Sequence, residues 1–214
     1  MKRQLGNILL LAAVLVGCGA VARAQEPCRL ERAVAPDYGG VMLGMKLEEL
    51  ARMFPGSEDL QKGTQQGAGT GSKPFIASLG MLELGVRKEQ FRDVSELMLT
   101  FLNGTLHRID VRYRQPVPWR EVAEFSTEAS KRLAVPANSW GETLSDAEKQ
   151  SRVLDCRGFS VVVRIDKTGP SILSIVDTAA VQQDAGSTAA PAKAEPAPSK
   201  RRPRKGRGGK GKTG

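Results

Sequence analysis

The densest chemistry in this 214-residue chain lies at its end. The stretch KRRPRKGRGGKGK carries Lys200, Arg201, Arg202, Arg204, Lys205, Arg207, Lys210 and Lys212, eight cations within 13 residues. Near an anionic membrane each such charge contributes about 1 kcal/mol, and on nucleic acid the same cluster binds by releasing counterions. The charge is unevenly distributed. Of the net +9, residues 193–214 hold +8 and residues 1–24 hold +3, leaving −2 for residues 25–192. The high isoelectric point therefore belongs to the tail, and the segment able to fold is close to neutral.

Cysteine chemistry comes next. Cys18, Cys28 and Cys156 are the three cysteines. Leu15-Val16-Gly17-Cys18 has the form of the box preceding a lipid-modified cysteine, whereas Ala22-Arg23-Ala24 before Gln25 has the form of an ordinary leader cut. Cleavage after Ala24 is the preferred expectation, with lipidation of Cys18 the alternative. Either route leaves Cys28 and Cys156, and in an oxidising compartment these two are expected to form a disulfide. Two cysteines and a single histidine, His107, make no recognisable metal-ligand set.

Catalytic constellations are otherwise missing. His107 is expected on the core face of a strand, and no nucleophile elbow or Walker spacing occurs. GAGTGSK at 67–73 lies in a low-complexity stretch and does not read as a phosphate loop. Arg108, Arg112 and Arg114 could bind an anion, but Asp110 stands among them, and alternating charge is ordinary on a solvated sheet face. No catalytic residue, cofactor or metal is therefore expected. A small-molecule hydrolase using His107 and the Trp140 loop is the enzymatic alternative.

The elements that would position these groups follow from patterning. Residues 1–24 read as a signal peptide, with Lys2 and Arg3 before an apolar run too short for the roughly 20 residues of a membrane span. Residues 25–40 read as an extended lead-in. Within Gly40–Gly56, Leu47, Leu50, Ala51 and Phe54 fall at helical spacing, and Pro55-Gly56 ends the helix. Residues 57–74 read as a flexible loop. FIASLGMLELGVRK and VSELMLTFLNGTLHRIDVRYR read as strands, the second a hairpin at Asn103-Gly104. A three-residue loop there, pairing Phe101 with Thr105, would put Leu97, Leu99, Phe101, His107, Ile109, Val111 and Tyr113 on one face.

A second helix is expected from the stripe Trp119, Val122, Phe125, Ala129 and Leu133. Three strands follow: SRVLDCR, FSVVVRID and SILSIVDTA. The expected fold is α+β over residues 41–178, as two tandem helix-plus-three-strand repeats (41–114 and 115–178) forming one antiparallel sheet with both helices on one face. Residues 179–214, rich in Ala and Pro and then basic, are expected to be disordered.

GVMLGMKLEEL at Gly40–Leu50, followed by LMLTFLNGTLHRIDV at Leu97–Val111, resembles the short lipoproteins of the outer-membrane β-barrel assembly machinery. It also resembles the β-lactamase inhibitor protein fold, a tandem of helix-plus-sheet repeats. In such families a Gly-Met pair opens a helix, and an Asn/Asp-Gly hairpin follows a strand ending in Phe. The chain departs from the assembly lipoproteins in having a second repeat with one helix in each, and no functional residue is carried over. The resemblance implies a non-enzymatic binding module of the cell envelope. The expected partner is an envelope protein or anionic envelope polymer, with membrane-surface contact through the tail. Nucleic acid is the less favoured partner, and periplasm or outer membrane the expected site, with secretion the alternative.

Overall fold

The computed structural model describes residues 26–66 and 73–180. Two strands open the sheet's first half, β1 (Phe75–Gly80) and β2 (Val94–Leu102), followed by β3 (Thr105–Tyr113). The second half supplies β4 (Leu144–Ser145), β5 (Lys149–Asp155), β6 (Phe159–Asp166) and β7 (Ile172–Asp177). All seven join one sheet in the order β1-β2-β3-β7-β6-β5-β4, and every neighbouring pair is antiparallel. Helices α1 (Leu47–Met53), α2 (Glu58–Gln65), α3 (Met81–Leu84) and α4 (Val122–Leu133) complete the fold.

One face of the sheet meets the helices. Leu97, Leu99 and Phe101 of β2, Ile109 and Val111 of β3, and Val161, Val163, Leu173 and Ile175 of β6 and β7 are fully buried. They belong to a single cluster that also takes Leu47, Leu50 and Ala51 of α1 and Val122, Phe125, Ala129 and Leu133 of α4. The expected α+β class and the helices' common face are thus present. Among the described residues, 41–114 carry three α-helices and three strands, whereas 115–178 carry one named α-helix and four strands, one of them only two residues long.

Three expectations need correction. The hairpin turn has two residues, Asn103 and Gly104, both at positive φ (50° and 68°), which is the backbone that Asn-Gly favours in a tight hairpin. Phe101 therefore pairs with Leu106, and Leu102, not Phe101, faces Thr105. The inward set survives because His107 is inserted as a bulge: Thr100 pairs with Arg108, which restores Leu99 opposite Ile109. Leu106 is buried in place of His107, which is half-exposed. The backbone of Leu106 is hydrogen-bonded to Gly44 and Met45, tying α1's approach to this bulge.

Residues 58–65 form α2 instead of a loop. Ser57 caps it, accepting from the Leu60 amide, and Glu58 and Asp59 occupy the first turn. It buries only Leu60 and Gly63. Gly63 sits where a Cβ would lie 2.6 Å from the Phe75 ring, so the small residue is a packing requirement. The strand expected through Lys88 stops at Gly80, and α3 follows from Met81; Leu84 is buried while Leu82 is 92 % exposed.

The lead-in expected over 25–40 is tied to the folded domain, its residues 28–32 forming a strap against the second half. Cys28 and Cys156 are disulfide-bonded with Cα atoms 4.7 Å apart. The Arg157 amide donates to the Leu30 carbonyl at 2.9 Å. Arg32 reaches Asp177, which is 1 % exposed, at 2.6 Å. Farther on, Tyr38 and Val41 pair with each other and are buried in the core.

Candidate binding surface

Opposite the helices, the sheet has a face that nothing in the described chain covers. Alternation puts Ile76, Met98, Val153, Val162, Ile172 and Val176 on it, half-exposed or exposed. Charged residues run between these aliphatics. Arg108 contacts Asp110 at 2.7 Å, and the other oxygen of Asp110 accepts from Ser174. Arg112 contacts Glu96 at 2.7 Å, and Glu96 also accepts from Ser78. Arg164 meets Asp166 at 3.0 Å. The hydrogen bond to Asp110 raises the pKa of Arg108 further, so it stays cationic. The three arginines considered as an anion site are thereby separated. Two have their charge committed on the sheet, and Arg114 lies past the end of β3.

Where the chain leaves β3 it turns through a cis Gln115–Pro116 bond toward α4. A cleft of about 730 Å³ opens there, lined by Arg92, Asp93, Arg114, Trp119, Glu124 and Glu128 among others. Its floor is aromatic: Trp119 stacks on Phe125 with centroids 4.3 Å apart, and Tyr113 meets both edge-on. The Trp119 indole nitrogen has no acceptor among the described residues. Below, the Tyr38 and Tyr113 hydroxyls are 3.1 Å apart. Burial pushes both phenols above their ordinary pKa. The Arg132 guanidinium lies 4.4 Å from the Tyr38 ring centre and donates to the Gln90 carbonyl at 2.6 Å. A second cleft of about 400 Å³ adjoins this one, sharing Arg92 and Arg114 and adding Lys88 and Glu89.

The residues singled out from sequence fall in separate places. Cys28 and Cys156 form the expected bond. His107 lies on β3, whereas Trp140 is buried beside β5, its indole N–H donating to Ser130 at 2.7 Å. Three strand spacings separate β3 from β5, about 14 Å at 4.8 Å each, so the proposed His107–Trp140 hydrolase site is not assembled. No group of three or more metal-ligating residues occurs among the described residues, and no helix among them is long and apolar enough to cross a membrane. Cys18, the leader and the cationic cluster from Lys200 to Lys212 lie outside the described residues, as does most of 67–73.

The cleft went unforeseen. Its one sequence signal is YRQPVPW at Tyr113–Trp119, where prolines and an aromatic interrupt an otherwise regular strand-to-helix passage. Arg92 and Asp93 are brought to it from the start of β2 by a hydrogen bond from the Arg114 amide to the Asp93 carbonyl, at 2.8 Å. Compared with models of protein families, with curated proteins and with solved structures, the chain gives no match.

Proposed function

We propose that this protein is an exported, non-enzymatic binding module of the bacterial cell envelope. Its open sheet face takes a protein partner, and its polycationic tail contacts anionic surface. The observation that carries the proposal is the uncovered sheet face itself. Seven strands across and about 20 Å along, it offers on the order of 600 Å², comparable with one side of a modest protein–protein interface. Half-exposed aliphatics there supply apolar contact, and the ordered Arg–carboxylate pairs supply register, the combination expected of a reversible interface.

Export is supported by the leader pattern and by the Cys28–Cys156 bond, which an oxidising compartment maintains. The mirrored strand order, with β1-β2-β3 meeting β7-β6-β5, supports a common plan for the two halves.

Affinity capture from envelope extracts tests the partner surface, using the full chain beside Met98→Asp and Val162→Asp. The expected result is a defined protein captured by the parent and lost from both variants at unchanged melting temperature. Identical capture by all three chains would overturn the assignment of this face. Intact mass tests export: the mature chain is expected to begin at Gln25, or at a lipid-modified Cys18. Recovery with Met1 attached and Cys28 and Cys156 reactive would overturn the compartment. Loss of envelope sedimentation on replacing the eight tail cations by Gln, at low salt, tests the tail.

A further inference from the structure

We infer that the two adjoining clefts at the β3–α4 junction form one groove for an acidic saccharide. Its carboxylate or phosphate is held by Arg92 and Arg114, and its ring hydroxyls donate to Asp93. The choice of an acidic polymer rests on the envelope reading; the groove itself is a site separate from the open sheet face.

The charges in the groove divide into committed and uncommitted ones. Arg132 is committed to the Gln90 carbonyl and the Tyr38 ring. Glu124 accepts from the Arg120 amide at 2.8 Å, and Glu128 faces Lys131 at 3.6 Å. Arg92 and Arg114 form no ion pair with any described residue, and they are the two residues common to both clefts; Lys88 and Glu89, at the far end of the second cleft, are unpaired among the described residues as well and offset each other in charge. A guanidinium fork matches the two oxygens of a carboxylate or phosphate. The larger cleft's lining holds three arginines against three carboxylates, so it is the two unpaired forks, and not a net positive field, that would hold an anion.

Asp93 narrows the class. Its carboxylate lines the same cleft and forms no ion pair among the described residues. A plain anion would meet a like charge there. A ligand carrying hydroxyls beside its acid group satisfies both, because a carboxylate only accepts hydrogen bonds and a hydroxyl can donate one. Pro116, Val117 and Pro118 also line this cleft and add apolar surface suited to the C–H face of a sugar ring. The larger cleft, about 730 Å³, lies within the range of roughly 300–1,000 Å³ usual for small-ligand sites.

Calorimetric titration of the full chain tests this with oligogalacturonate as the acidic saccharide, a neutral maltooligosaccharide, inorganic polyphosphate, and phosphatidylglycerol vesicles. Saturable binding of oligogalacturonate, and none of the neutral sugar, is expected. Replacing both arginines (Arg92→Ser with Arg114→Ser) is expected to weaken it by about tenfold or more. Asp93→Asn is expected to weaken the uronate but not polyphosphate. A chain with its eight tail cations changed to Gln is expected to keep the saturable uronate site.

Uronate binding that survives the double arginine change and disappears with the tail cations would overturn the groove. So would an absence of uronate binding, or binding to the vesicles alone through Arg92 and Arg114, which would assign this face to lipid. Arg92, Asp93 and Arg114 are exposed, so the variants are expected to melt with the parent. Protein capture by the sheet face is expected to be unchanged in them, which separates failure of this site from failure of the binding-module proposal.

Discussion

On the helix-covered face of the sheet, Leu97, Leu99 and Phe101 have no solvent exposure. One residue along the same strand, Met98 and Thr100 are half-exposed, and Ile76 beside Thr100 is 54 % exposed. The two faces share a backbone and differ by a phase of one residue. On the inner face, apolar area removed from water supplies stability at about 25 cal/mol per Å². On the outer face, charged pairs half in water contribute little to folding. Residues there are under weak folding constraint, which leaves them free to suit a partner. The sharpest way to break this contrast is truncation on each face of one strand. Phe101→Ala is expected to cost about 3–5 kcal/mol, and its neighbour Thr100→Ala no more than about 0.5 kcal/mol. Urea unfolding with unchanged slope would measure both. Comparable costs would mean that the outer face is packed as tightly as the inner one.

The strap closes the inner face, and loss of its disulfide is expected to weaken the fold nearly as much. The bond spans 128 residues of sequence, so removing it restores a long loop's freedom to the unfolded chain. Cys28→Ser with Cys156→Ser is expected to destabilise by about 3–5 kcal/mol. Denaturant midpoints with and without reductant should agree with the variant. Beside the bond, Asp177 is almost wholly buried; its carboxylate meets Arg32 and also accepts from the Ala179 and Ala180 amides. Asp177→Ala is expected to cost about 1–3 kcal/mol, because those donors lose their acceptor. The cost stays below that of a fully buried pair, since the Arg32 side chain is 49 % exposed and can rehydrate.

Legibility in the sequence follows the same division. The inner face was readable because period-two burial leaves an alternating pattern, and α4 was readable because Val122, Phe125, Ala129 and Leu133 form one stripe. Helix α2 was not, since it buries only Leu60 and Gly63 and leaves no stripe. Its signal was local, the Ser57 cap with two acids behind it. The hairpin misled because two devices cancel: a two-residue turn shifts the register and the His107 bulge shifts it back, so the inward set was right on β2 and wrong at Leu106. The Cys28–Cys156 pair could be named by elimination, but the strap it anchors could not, because the Arg32 and Tyr38 side chains find Asp177 and Tyr113 only across long sequence distances. The groove residues Arg92 and Arg114 were out of reach for the same reason: charge with no pattern becomes a site only when two distant segments meet.

Tyrosine titration probes the inner face without mutation. The chain has two tyrosines, Tyr38 and Tyr113; both are buried, with hydroxyls in contact. Burial raises both phenols, so the native state keeps protons that the unfolded chain releases above about pH 10. Their contribution is fully present below that pH and declines as pH rises beyond it, by up to about 1.4 kcal/mol per pH unit for each phenol. Phenolate absorbance is expected to rise together with loss of the folded signal. A phenolate appearing near pH 10 in a chain that is still folded would show that one hydroxyl is open to water.

The smallest effect is expected on the outer face, at the pair Arg112–Glu96. Their side chains are 39 % and 29 % exposed, and partial hydration removes most of the Coulombic gain. A double-mutant cycle with Arg112→Ala and Glu96→Ala is expected to give a coupling of about 0.2–1 kcal/mol, falling further in high salt. Glu96 also accepts from Ser78 on the edge strand β1, so Glu96→Ala should cost slightly more than Arg112→Ala. If Arg112→Ala left folding stability unchanged and abolished capture of a protein partner, the two faces would be divided as their burial divides them: one holding the fold, the other presenting it. A coupling well above 1 kcal/mol would instead make the outer pairs part of what holds the sheet together.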